Sequence, residues 1–149
     1  SKRPPLDRVN AMLSFLYTIF TREYAAALES VGLDSYMGFY HSLRPGRESL
    51  ACDLVEEGRC IVERFVLTLI NLKIIKPEDF DVQLSGAVFL NDDGRKKVLS
   101  KWQEKKRTDM IHPYLKEKIP MGLLPYVQSM LLAKFVRGEI DEYPCYLVK

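Results

Sequence analysis

The stretch Leu6-Asp7-Arg8-Val9-Asn10-Ala11-Met12-Leu13-Ser14-Phe15-Leu16-Tyr17-Thr18-Ile19-Phe20-Thr21-Arg22-Glu23-Tyr24-Ala25-Ala26-Ala27-Leu28-Glu29-Ser30-Val31 decides the fold class. Leu6, Val9, Leu13, Leu16, Phe20, Tyr24 and Leu28 recur every three or four residues, which is the repeat of one face of an α-helix. Pro4-Pro5 stands where a first helical turn tolerates proline, and Gly32 stands where a helix ends. The spacing therefore predicts one long helix from Leu6 to about Val31.

Working outward, the same period returns. A second long helix is expected from about Glu48 to Leu72, with Leu50, Leu54, Ile61, Phe65 and Leu69 on one stripe widened by Ala51, Val55 and Val62. Gly58 interrupts it, at a cost of about 1 kcal/mol against alanine. Such a glycine marks either the close approach of another backbone or a substrate, or simple tolerance. Asn91-Asp92-Asp93-Gly94 can cap a third helix from roughly Asp92 to Arg107, with Val98 and Trp102 inward. Pro120 opens a fourth that runs to about Arg137 and closes at Gly138. Val82 to Leu90 is the only stretch that reads as extended, and Thr108 to Ile119 is irregular. The tail from Glu139, with Tyr143, Pro144 and Tyr146, reads as an arm packed on the body. The fold class is all-α: a helical bundle with at most a minor extended segment.

The chain has 149 residues, 47% hydrophobic and 28% charged, which suits one soluble globular domain. No apolar run reaches the roughly 18 residues of a membrane span, and no cleavable leader follows Lys2-Arg3, so no membrane partner is expected. Ser1 reads as either a cloning remnant or an internal boundary of a longer protein. Three cysteines, Cys52, Cys60 and Cys145, form no Cys-x-x-Cys pair. Cys52 and Cys60 read as small buried hydrophobes in a reducing, cytoplasmic setting. The net charge of +2 does not by itself argue for nucleic acid. Lys96, Lys97, Lys101, Lys105, Lys106 and Arg107 crowd together, however, as either a solvated helix face or a phosphate-contacting one.

The segment from Gly38 to Arg59 carries the candidate chemistry. His41 precedes a loop holding Arg44, Pro45, Gly46 and Arg47, which leads into a helix with Asp53, Glu56 and Arg59. At about 100° per residue, Asp53 and Glu56 point within about 60° of each other, and Arg59 lies about 60° further on. Two carboxylates on one face suit a divalent cation, and an imidazole suits Mn²⁺ or Mg²⁺ as a further ligand. Two acids three apart more often simply face water, and a lone histidine is more often structural, so geometry leaves both readings open. Glu57 is a second-ranked acid that pairs with Arg64 or Lys73, or replaces Glu56 as ligand. His112, before Pro113, reads as structural or as a surface residue.

The strings Asn10-Ala11-Met12-Leu13-Ser14-Phe15-Leu16-Tyr17, Gly32-Leu33-Asp34-Ser35-Tyr36-Met37-Gly38-Phe39-Tyr40-His41 and Ser49-Leu50-Ala51-Cys52-Asp53-Leu54-Val55-Glu56-Glu57-Gly58-Arg59 resemble the CRISPR-associated integrase family. Pro125-Tyr126-Val127-Gln128, Leu132-Ala133-Lys134-Phe135-Val136-Arg137-Gly138 and Tyr143-Pro144 extend the likeness from Leu6 to the C-terminus. It most resembles the version found in type I-C systems. The resemblance implies a helical catalytic domain, preceded in the family by a β-rich dimerisation domain that this chain lacks. It implies an Mg²⁺- or Mn²⁺-dependent DNA endonuclease and integrase that inserts new spacers into a CRISPR array by phosphodiester transesterification.

The implied metal ligands are His41 and Glu56, joined by a glutamate that the family carries upstream of the Asn10 motif. Asp53 matches the other acidic position, so His41, Asp53 and Glu56 are the implied catalytic residues. Arg44, Arg47, Arg59, Lys101 and Lys105 are implied to position the DNA backbone. The implied partners are double-stranded and branched DNA, the adaptor subunit of the acquisition complex and, at full length, a second copy. With the upstream glutamate missing, the fragment by itself is expected to be weakly active or inactive. The alternative is a non-catalytic helical module that docks DNA or a partner.

Overall fold

The computed structural model describes residues 5–33 and 49–146. Five α-helices appear among the described residues: α1 (Arg8–Ser30), α2 (Ser49–Glu57), α3 (Arg59–Asn71), α4 (Asp92–Lys106) and α5 (Leu124–Val136). Two antiparallel hairpins join them. In the first, β1 (Phe80–Val82) pairs with β2 (Val88–Leu90), Phe80 opposite Leu90. In the second, β3 (Asp109–Ile111) pairs with β4 (Lys118–Pro120), Met110 opposite Ile119. Single 3₁₀ turns precede β1 and α5. The described residues fall into two compact units, one drawn from residues 5–18 and 60–105, the other from 19–33, 49–59 and 106–146.

In the first unit, Val62, Phe65, Val66 and Leu69 of α3 are buried, as are Val98 and Trp102 of α4. Phe65 meets Trp102 edge-on at 5.2 Å between ring centroids, a favoured aromatic geometry. The predicted cap on α4 is present: the Asn91 side chain accepts the Gly94 N–H at 2.9 Å and donates to the Glu78 carbonyl at 2.8 Å. Glycine is needed at position 94 because a Cβ there would lie 2.4 Å from the Asp79 backbone oxygen. Asp79 accepts the Lys76 N–H at 2.8 Å and the Lys97 ammonium at 2.9 Å.

The second unit is built on α5, whose Leu124, Val127, Gln128, Ser129, Leu131, Leu132 and Ala133 are all buried, as in a helix enclosed on most sides. Ile119, Val127 and Leu131 form a core cluster, with Met110, Leu115 and Tyr143 packed against it. Ala51, Leu54 and Val55 of α2 are buried, as are Phe20, Tyr24 and Leu28 of α1. Complete burial of side chains of this size contributes about 1.5–3 kcal/mol each.

Four expectations change. The expected helix from Glu48 to Leu72 is two helices, broken at Gly58. A Cβ on Gly58 would stand 2.7 Å from Cε2 of Phe20, so the group that approaches this glycine is a side chain, neither the backbone nor the substrate expected. The first helix starts after Asp7, whose carboxylate accepts the Asn10 N–H at 2.8 Å, and not at the prolines; the Pro5 carbonyl instead accepts the Val88 N–H at 2.8 Å. Residues 108–119 are not irregular but hold the second hairpin. Its loop is closed by the His112 N–H on the Glu117 carbonyl at 2.9 Å, with Lys116 at φ 60°. Finally, Cys60 is exposed and Cys52 only half-buried, because Cys60 falls on the outer side of α3. Gly32 and Gly138 end α1 and α5 as the sequence predicts, both at positive φ.

Candidate functional site

The site is built on α2. Asp53 is 9% exposed, while Glu56 one turn later has a side chain that is 58% exposed. The two acids therefore share an arc but not a depth: Asp53 is buried, as are Ala51, Leu54 and Val55 of the same helix, and it is engaged in polar contact. Glu56 accepts the Arg59 guanidinium at 3.1 Å, with a second, longer contact at 3.5 Å. An exposed pair of this kind is worth roughly 0.3–0.5 kcal/mol, so a cation or a phosphate can replace either partner at little cost. His41, Arg44 and Arg47 lie outside the described residues.

The donor chemistry of α2 fits a hard divalent ion, since Asp53 and Glu56 both offer carboxylate oxygens on one arc of the helix. Among the described residues no group of three potential ligands converges.

Lys101 and Lys105 belong to α4. Lys101 pairs with Glu104 at 3.1 Å and Lys105 is also in contact with a partner. Lys97 is committed to Asp79 at 2.9 Å and Lys106 to Glu23 at 3.3 Å. Much of the basic stretch is thus balanced by acids of the same chain. A cavity of about 870 Å³ opens in the first unit, walled by Leu6, Val9, Met12, Ile70, Ile75 and Val88 with several charged neighbours. None of the candidate site residues lines it.

What sequence reasoning missed surrounds Glu57. It does not pair with Arg64 or Lys73 in the way the sequence suggests. Its carboxylate accepts the Tyr146 backbone N–H at 2.7 Å, the Tyr143 hydroxyl at 2.9 Å and the Gln128 side-chain amide at 3.3 Å. Burial raises the Glu57 carboxyl above its ordinary range, against the opposing pull of the Tyr146, Tyr143 and Gln128 donors. Burial, then the charge of Glu57, drives the Tyr143 phenol well above the usual tyrosine range. Of the two roles expected of His112, structural or surface, it takes the first: it is 1% exposed and its Nε2 lies 2.6 Å from the Gln128 amide oxygen. The tail is the packed arm that the sequence indicates. The signal that could have joined these residues is the pair of tyrosines in that arm, but nothing local points it at Glu57.

Residues 1–104 match the family described as CRISPR associated protein Cas1, and this chain belongs to that family. It is 51% identical, over its whole length, to CRISPR-associated endonuclease Cas1 2 of Rhodospirillum rubrum, of which it spans 44%. Among solved structures it is similar to a casposase bound to integration product, with a TM-score of 0.86 at 25% identity over 96% of this chain and 41% of that one. It is also similar to a chain of a partial Cas6-RT-Cas1–Cas2 complex, with a TM-score of 0.78 at 25% identity over 100% of this chain and 44% of that one. No helix among the described residues is long and apolar enough to cross a membrane.

Proposed function

We propose that this chain is the helical catalytic part of a CRISPR-associated integrase, a cytoplasmic DNA endonuclease that joins the 3′-hydroxyl of a short DNA segment to a phosphodiester at the edge of a repeat array. The observation that carries the reading is the pair of carboxylates on α2, Asp53 buried and Glu56 exposed, in a chain similar to proteins named as endonucleases. His41 and Glu56, with a glutamate from upstream in the full-length protein, would hold Mg²⁺ or Mn²⁺. Bound there, the ion would polarise the scissile phosphate and stabilise the charge that develops on it. Asp53, fixed by its burial, ligates directly or orients its neighbours. Arg59 turns from Glu56 to a phosphate oxygen, the geometry its guanidinium suits best. Arg44, Arg47, Lys101 and Lys105 hold the DNA backbone, so binding weakens with salt and is largely indifferent to sequence. Likeness to a casposase bound to integration product supports double-stranded and branched DNA as the substrate class. Likeness to a chain of a Cas6-RT-Cas1–Cas2 complex supports an adaptor subunit as partner. At full length the protein works as a homodimer.

A second reading, a helical module that docks DNA without cutting it, is favoured by the Glu56–Arg59 pair, which already occupies the exposed carboxylate. Cleavage of branched DNA by the full-length protein, with and without Mn²⁺, separates the two. Mn²⁺-dependent cleavage that disappears in a His41→Ala, Glu56→Ala double variant supports the catalytic reading. DNA binding without cleavage, or Mn²⁺ affinity by titration calorimetry that the double variant leaves unchanged, overturns it.

A further inference from the structure

The last turn of α2 carries two consecutive acids with opposite surroundings. Glu56 is exposed. Glu57 is enclosed by donors that the chain supplies 71 to 89 residues later. The enclosure is directional throughout. Gln128, 0% exposed, shares its two amide protons among Glu57, the Tyr143 hydroxyl at 2.8 Å and the Pro144 carbonyl at 3.1 Å. Its own amide is oriented by His112, whose Nδ1 accepts the Tyr114 and Leu115 backbone N–H groups, each at 3.2 Å. Those two donors leave the His112 proton on Nε2, which donates to the Gln128 oxygen at 2.6 Å and turns the amide nitrogen toward Glu57. One chain of bonds thus runs from the loop of the second hairpin, through α5 and the C-terminal arm, to the end of α2.

A half-buried carboxylate is a costly way to hold a helix, since an apolar side chain of the same size packs with no desolvation penalty. What a carboxylate adds is direction. α2 ends at Glu57, and its last turn is closed by the Gly58 N–H on the Val55 carbonyl at 3.0 Å, so the clamp on Glu57 acts where the regular helix stops. Neighbouring residues on a helix are about 100° apart, so locking the azimuth of Glu57 locks those of Glu56 and Asp53. We infer that Glu57 is a positioning residue: clamped by Tyr143, Gln128 and the Tyr146 backbone, it sets the rotation and depth of α2 and hence where Asp53 and Glu56 present their carboxylates. The consequence for metal binding rests on the catalytic reading above; the clamp itself does not.

The test uses the full-length protein with Glu57→Gln and, separately, Tyr143→Phe, which removes only a hydroxyl and leaves the Glu57 charge in place. Hydrogen exchange of the α2 amides up to Gly58 should quicken by about tenfold in both variants, the factor expected when one hydrogen bond to a charged group is lost. Exchange in α4 should not change. Mn²⁺ affinity by calorimetry should weaken by about tenfold in both variants, as for other residues that orient metal ligands, while the Kd for branched DNA without metal stays within about twofold. A positional role moves both variants together, whereas a field effect of the carboxylate moves only Glu57→Gln. Unchanged α2 exchange in Tyr143→Phe, or a Mn²⁺ shift confined to Glu57→Gln, overturns the inference; Tyr143→Phe decides it even if Glu57→Gln does not fold. If the unaltered protein takes up no Mn²⁺, the catalytic reading fails, and the clamp still stands or falls on the exchange data.

Discussion

Replacing Gly58 with alanine tests whether close approach explains the glycine between α2 and α3. Ordinary carbon contacts lie at about 3.5–4.0 Å. The new Cβ would sit 2.7 Å from Cε2 and 3.3 Å from Cζ of Phe20, so something must retreat by most of an ångström. The ring cannot easily swing, because Phe20 is 1% exposed and lies against Tyr24 at 5.0 Å between centroids. Overpacking of this kind costs about 1–3 kcal/mol. Against it stands the usual gain of about 0.4–1 kcal/mol when alanine replaces glycine in a compatible conformation. The net expectation is a loss of about 1–2 kcal/mol, read by urea unfolding and as a Tm lower by about 3–6 °C. Phe20→Leu in the same background should recover part of it, with a coupling of at least about 0.5 kcal/mol in a double-mutant cycle. If Gly58→Ala stabilises the protein, or the two changes are additive, the ring does not dictate the glycine.

Three further outcomes follow from individual contacts. Removing His112 as His112→Ala strands the Gln128 oxygen and two backbone N–H groups, and should cost about 1–3 kcal/mol in urea unfolding; a loss below that range would mean water replaces the ring. Burial pushes the Asp79 carboxyl up, but the Lys76 N–H and the Lys97 ammonium outweigh it and hold the group below its ordinary value. Its contribution is therefore present above the unfolded-state pKa of about 3.9 and lost as pH falls through the folded value. The stability gap between the unaltered chain and Asp79→Asn should be full at neutral pH and close below about pH 4, and a gap that persists to about pH 2 refutes the assignment. Glu56→Ala should change folding stability by no more than about 0.5 kcal/mol, because its pair with Arg59 is exposed; a larger loss would show that Glu56 serves the fold.

Most of the helical order is legible because amphipathic repeats and caps are local. The Asn91 cap, Gly32 and the inward Val98 and Trp102 all follow from residues within a turn or two of one another. The break at Gly58 is not legible, because the apolar stripe runs in phase straight through it: Ala51, Leu54 and Val55 before, Val62, Phe65 and Leu69 after. What presses on Gly58 is a ring from α1, and no periodicity in the α2 and α3 segments can announce that. The second hairpin is hidden by its size. Three-residue strands are too short for alternation to rise above the charged background of residues 108–118.

The candidate site divides along the same line. Asp53 and Glu56 can be paired from sequence because three residues on a helix set an angle. Sequence does not set depth, and depth distinguishes the two acids here: only Asp53 is sunk into the second unit, so only Asp53 carries a desolvation cost that demands a fixed partner. Glu57 makes the point more sharply. By helical angle it is interchangeable with a ligand, and the sequence ranks it as an alternative one. Its oxygens instead take hydrogen bonds from three donors contributed by the other end of the chain. Two adjacent glutamates of identical chemistry are thus separated by where the C-terminal arm lands, and an arm that lands on Glu57 leaves Glu56 as the exposed acid of the pair. The division of labour on α2 is then set from the C-terminus, which is why truncation before Tyr143 should disturb α2 before it disturbs α4.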